Sequence, residues 1–92
     1  MGRGVDAFEW DDINIEHLAN HGVTDVEVDQ MLSNRNIVMP NRKYPDRKLL
    51  IGKTNAGRVL IVSIEPTRME GTWRPITARE AEPEESKRLE RA

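Results

Sequence analysis

The order of apolar and polar positions divides the chain into an opening strand, two helices, a run of strands and a closing helix. Ala7-Phe8-Glu9-Trp10 sets aromatic residues against an acid in alternation, the period of a short strand with one face turned inward. Asp11 or Asp12 can cap the helix that follows, because a carboxylate there accepts free N–H groups of the first turn. Ile13, His17 and Leu18 fall at helical spacing, Ile15 lies off that stripe, and Gly22 offers a left-handed stop. The spacing predicts that this helix packs on the sheet through Ile13 and Leu18, with Trp10 beside them. Thr24 or Asp25 caps a second helix over 25–34, with Val26, Val28, Met31 and Leu32 as its apolar residues. So short a helix must draw its stability from packing rather than propensity.

Beyond residue 36 the pattern shifts to strands. Ile37-Val38-Met39 is ended by Pro40, and 41–46 is a polar loop. A strand over 47–54 centres on Leu49-Leu50-Ile51, and Asn55-Ala56-Gly57 turns it into the next, 58–65, the clearest strand in the chain. These two should form a hairpin. A turn over 66–71 leads to a last strand, 72–78, where Pro75 lacks an N–H and therefore demands a bulge or an edge. A charged helix over 82–91 tolerates Pro83 in its first turn. The order predicts an α+β fold. A mostly antiparallel sheet of four to five strands carries the two N-terminal helices on one face, a C-terminal helix follows, and the other face stays partly open. Residues 1–92 read as a single domain, with 1–6 and 80–92 flexible or peripheral.

Composition narrows the class. The chain is 37% apolar and 33% charged, polar for a folded domain but not the make-up of a disordered one. It has no cysteine, which excludes disulfides and thiolate metal sites. Met1 to Asp6 lacks the apolar stretch of a secretory signal. The longest apolar run, Val59 to Val62, falls far short of the roughly 20 residues a membrane helix needs. The expectation is a soluble cytoplasmic protein with no membrane partner. The formal charge of −2 conceals a strong segregation. Residues 1–34 carry one basic and eight acidic side chains, residues 35–79 ten basic and three acidic, and residues 80–92 three basic and five acidic. Either the basic middle meets a polyanion, or the blocks neutralise each other in the fold.

Several islands resemble one family. Phe8-Glu9-Trp10-Asp11 and Asn20-His21-Gly22-Val23 resemble the opening of the BrnT-like ribonuclease toxins of type II toxin–antitoxin systems. Ile51-Gly52, Gly57-Arg58-Val59-Leu60 and Arg74-Pro75-Ile76-Thr77-Ala78-Arg79 resemble that family's hairpin and its last strand. The islands follow in the right order and cover most of 8–79. The resemblance implies a RelE-like fold, RNA as substrate, and a ribbon-helix-helix antitoxin as partner, through which a homodimer can form. The chain departs from the family in the shortened loop Asn41 to Arg47, in Pro75, and in the acidic tail after Arg79. These departures leave a second reading open, a diverged, non-catalytic module that binds protein or RNA.

Metal-independent RNA cleavage uses the substrate's 2′-OH as nucleophile and needs no cofactor. It needs proton transfer and cations for the charge that builds on phosphorus. The guanidinium fork suits phosphate oxygens. Arg47, Arg58, Arg74 and Arg79 match family positions and are the first candidates, expected on one side of the molecule away from the acidic helices. The alternative is that they are ordinary strand-end charges. His21 is a candidate general acid or base near neutral pH; otherwise it caps its helix and packs against Trp10. Arg42, Lys43, Tyr44, Lys48 and Lys53 are candidate RNA contacts, with Tyr44 able to stack on a base. His17 and His21 stand four apart, but no further His or Cys exists to complete a zinc site, so no metal is expected. Gly52-Lys53-Thr54 lacks the upstream glycine of a phosphate loop, and Ser33, Ser63 and Ser86 lack the context of a serine nucleophile.

Overall fold

The computed structural model describes residues 4–92. Its elements are β1 (Ala7–Phe8), α1 (Asp12–Asn20), α2 (Asp25–Ser33), β2 (Asn36–Pro40), β3 (Lys48–Lys53), β4 (Val59–Pro66), β5 (Thr72–Glu80) and α3 (Pro83–Arg91). The expectation for residues 1–6 lies, for 1–3, outside the described residues. The five strands form one sheet in the order β1-β5-β4-β3-β2. The β2–β3, β3–β4 and β4–β5 pairs are antiparallel, as short turns require. β1 instead runs parallel to β5 at the edge, because two helices and three strands separate them in the chain.

Alternation along the strands builds two apolar layers. Leu50, Leu60, Val62, Ile64 and Ala78 face α1 and α2, where they meet Leu18, Val23, Val28 and Met31, with Phe8, Trp10 and Trp73 at the margin. Ile51 and Ile61 point the other way and are covered by Leu89 of α3. The run Leu49-Leu50-Ile51 is therefore apolar throughout because β3 is covered on both faces. Gly52 lets α2 lie close to β3: a Cβ there would stand 3.0 Å from the Asn36 Cβ and 3.1 Å from the Met31 Cβ.

Helix ends follow local chemistry. Asp11 caps α1 in a capping box with Asn14, and Thr24 caps α2 in one with Glu27. Gly22, at φ +76°, ends α1. Its N–H donates to Ala19 O, and the Val23 N–H reaches back to Leu18 O. These are the bonds of a Schellman ending, and Val23 and Leu18 are both fully buried beside it.

One expected contact fails. Ile13 is 75% exposed, whereas Leu18 is fully buried and Trp10 is half-buried at the core margin. The inward stripe is Asn14 and Leu18, four residues apart, which turns Ile13 and His17 outward. Asn14 takes the inner position because backbone groups need it. Its Nδ2 donates to Glu9 O at 3.0 Å and Pro75 O at 3.1 Å, and its Oδ1 accepts the Asp11 N–H at 2.9 Å. Pro75 sits beyond the short β1 pairing, beside a register shift in which Ser63 faces Thr77 and Ile64 faces Pro75. Both the bulge and the edge expected of that proline are present.

Candidate nucleic-acid interface

Strand register decides where the cations stand. Arg58 precedes β4, and Arg79 lies opposite Ile61, so both belong to the end of the sheet where β4 begins. Arg47 precedes β3, and Arg74 lies opposite Glu65, so both belong to the far end. The expected cluster on one side, away from the acidic helices, does not form. Arg58 Nη1 donates to both Glu27 carboxylate oxygens at 3.0 and 2.9 Å and to Gly22 O at 3.0 Å, and its Nε donates to Glu80 at 3.0 Å. Arg74 holds Asp11 through two bonds of 2.6 and 3.2 Å and stands 3.6 Å from Glu9. The acidic helices and the basic strands thus neutralise one another at both ends of the sheet.

These contacts shift the acids. The Arg74 guanidinium, with the Asn14 N–H, holds the Asp11 carboxyl below its ordinary value. Burial pushes Glu27 up, but the Thr24 N–H and Arg58 outweigh it and leave Glu27 low. Arg79 likewise holds Glu85 low. A carboxyl lowered by folding contributes stability above the unfolded carboxylate pKa of about 4 and loses it as pH falls toward the lowered value. The melting temperature should therefore drop steeply below about pH 4. Arg58→Ala should cost roughly 1–2 kcal/mol near neutral pH, since it unties α2, β4 and β5 at one point. Its melting temperature should also depend less on acid than the parent's. Thermal melts from neutral pH to about pH 3 check both statements; parallel curves for the two proteins would refute the assignment.

Arg79 is 54% exposed at its side chain and donates to Glu85 through Nη1 at 2.9 Å and Nη2 at 2.8 Å. It borders a cavity of about 290 Å³ lined also by His21, Leu49, Ile61, Ser63, Thr77 and Ala78. Two sequence candidates, His21 and Arg79, are therefore brought to one cavity, together with two hydroxyls that the sequence did not single out. Ser63 and Thr77 pair across β4 and β5 on the same face as Ile61 and Arg79, two residues away on each strand. Strand alternation was the available signal for them. His21 is the C-cap of α1, and its ring stands 5.2 Å from that of His17, not against Trp10. A larger cavity of about 610 Å³ lies beside Lys48, Arg68, Met69 and Trp73 near the β4–β5 turn. Glu70 also lines it but no histidine does; the imidazole of His21 lines the smaller cavity.

The loop residues form a separate basic rim. Asn41 Oδ1 accepts the N–H groups of Lys43 and Tyr44 at 3.1 and 3.0 Å, which fixes the loop. The Arg47 guanidinium lies 4.3 Å from the centre of the Tyr44 ring and 3.7 Å from Glu65, and Lys43 stands 5.6 Å from the same ring. Among the described residues Arg42, Lys43, Lys48, Lys53 and Arg68 have no carboxylate within 4.0 Å. Lys53 stands at the opposite end of β3 from Lys48, away from this rim. Arg68 lies in the β4–β5 turn, which by sequence reads only as punctuation. Among the described residues no group of three or more His, Cys, Asp or Glu gathers to hold a metal ion, and no helix is long and apolar enough to cross a membrane.

The architecture has a solved counterpart. The Brucella abortus ribonuclease toxin BrnT matches it with a TM-score of 0.63 at 23% identity, over 83% of this chain and 96% of that one. The chain has a BrnT-like fold. No protein-family model matches it. No curated protein matches it.

Proposed function

We propose that this chain is a ribonuclease toxin that cleaves RNA at the His21–Arg79 cavity and is silenced by an antitoxin. One observation carries the reading: a titratable imidazole, a guanidinium and two hydroxyls line one cavity on a BrnT-like sheet. In the proposed reaction a substrate 2′-oxygen bonds to the adjacent phosphorus as the bond from phosphorus to the 5′-oxygen breaks. His21 takes the 2′-hydroxyl proton, and water protonates the leaving 5′-oxygen. Arg79 meets the charge that builds on the phosphorus oxygens, and Ser63 and Thr77 orient them. Arg42, Lys43, Tyr44, Lys48 and Arg68 guide the chain of phosphates from the basic rim, while Lys53 offers a contact at the other end of β3. No cofactor takes part. The site of action is the cytoplasm, and the antitoxin is of the ribbon-helix-helix class, through which two copies assemble.

A second reading has its own support. Arg58, Arg74 and Arg79 each hold a carboxylate already, which suits a non-catalytic module that binds RNA or protein. Induced expression with and without the neighbouring gene, followed by RNA integrity analysis, separates the two. Growth arrest with fragmented RNA, relieved by the neighbour, is the result expected of the toxin. Normal growth with intact RNA, from a protein that still binds RNA, would establish the module.

A further inference from the structure

Helix α3 is a shallow attachment. Leu89 is its one fully buried residue, resting on Ile51 and Ile61. A nine-residue helix has little stability of its own, so α3 is ordered only while docked. Two arginines hold its ends. Arg79 holds Glu85 in the first turn, and Arg35 donates to Glu90 O at 3.4 Å and Ala92 O at 3.1 Å in the last. All of these bonds lie at the surface, where water competes for them. The result is that the cation bordering the His21 cavity is occupied by a carboxylate from the chain itself. A phosphate presents the same pair of oxygens to a guanidinium fork as a carboxylate does.

We propose that α3 is a displaceable cover: an RNA phosphate entering the cavity takes Arg79 from Glu85, and the helix leaves the sheet. The proposal rests on the RNA-cleaving reading of that cavity. It gives the acidic tail a role distinct from core packing, since Glu85 then competes with substrate while Leu89 sets how firmly the cover is held.

The test uses the full chain and a single-stranded 2′-O-methyl oligoribonucleotide, which binds without being cut. Glu85→Gln removes the charge but keeps the oxygen that accepts the Glu82 N–H at 2.7 Å, so the helix start survives. Its affinity at low salt should rise about twofold to fivefold, the range of an exposed ion pair, and the gain should shrink as salt rises. Glu84→Gln removes the same charge from an exposed neighbour outside the Arg79 pair and should gain clearly less. Leu89→Ala loosens the cover without changing charge and should also raise affinity, with circular dichroism reporting that the sheet stays folded. Independently of any variant, amide exchange of Ser86 to Arg91 should quicken when the oligonucleotide binds the parent protein. Equal gains from Glu85→Gln and Glu84→Gln, or α3 amides as protected with RNA as without it, would overturn the cover and leave the RNA reading standing. No binding by the parent or any variant would overturn both.

Discussion

Asn14→Ala should destabilise the fold by about 2–4 kcal/mol, and a domain of this size then melts roughly 10–25 °C lower. The side chain is 3% exposed and serves three backbone groups at once. Alanine would take the side-chain donor away from the buried Pro75 carbonyl, at a cost of about 1–3 kcal/mol. It would also undo half of the capping box at Asp11, which adds about 1 kcal/mol. Asp11 would then lose part of what orients it toward Arg74, so the junction of α1 with β5 loosens as a unit. The control is the adjacent Ile13→Ala, which is exposed and should change stability by no more than about 0.5 kcal/mol. Thermal melts in which the two substitutions cost the same would show that Asn14 is not what joins the helix to the sheet.

The second large effect concerns the proposed RNA cleavage. Arg79→Ala should lower the rate about 100-fold or more, the usual cost of removing one donor to a developing oxyanion. His21→Ala should fall by about 10²–10⁴, the range for a positioned acid–base group. Arg58→Ala, whose guanidinium is held by Glu27, Glu80 and Gly22, should cleave at close to the parental rate while melting earlier. The two arginine variants would thus separate a guanidinium that acts on substrate from one that holds the fold. Cleavage that survives Arg79→Ala, in a protein that melts like the parent, would remove the cavity from the mechanism.

The candidate site was only partly legible. His21 and Arg79 stand out in sequence as a titratable group and a strand-end cation, 58 positions apart. Nothing in that separation places them at one cavity; the Schellman turn at Gly22 and the β4–β5 register do so. Ser63 and Thr77 read as ordinary strand residues until the β4–β5 register, unbroken from Leu60 and Glu80, sets them opposite each other just before the bulge. Arg58 and Arg74 looked like substrate contacts. Guanidinium groups carry no sequence mark that separates a phosphate ligand from a tie to Glu27 or Asp11, since both uses employ the same fork.

Local signals determined the elements themselves. Capping chemistry at Asp11 and Thr24, the stop at Gly22, the β-branched run from Val59 and the turn at Gly57 are short-range effects, each complete within a few residues. Pro75 announced a bulge or an edge because a missing N–H cannot be supplied from elsewhere. What only the tertiary structure decided depends on partners distant in the chain. Ile13 and Asn14 are one residue apart, and a hydropathy stripe favours the isoleucine. The buried carbonyl of Pro75 and the partly buried one of Glu9 take their donor from the asparagine, and that need turned it inward. The parallel β1–β5 edge and the pairing of acidic helices with basic strands have the same origin. A backbone group or a charge has to be satisfied where the fold puts it, and the sequence names the available groups without naming which of them meet.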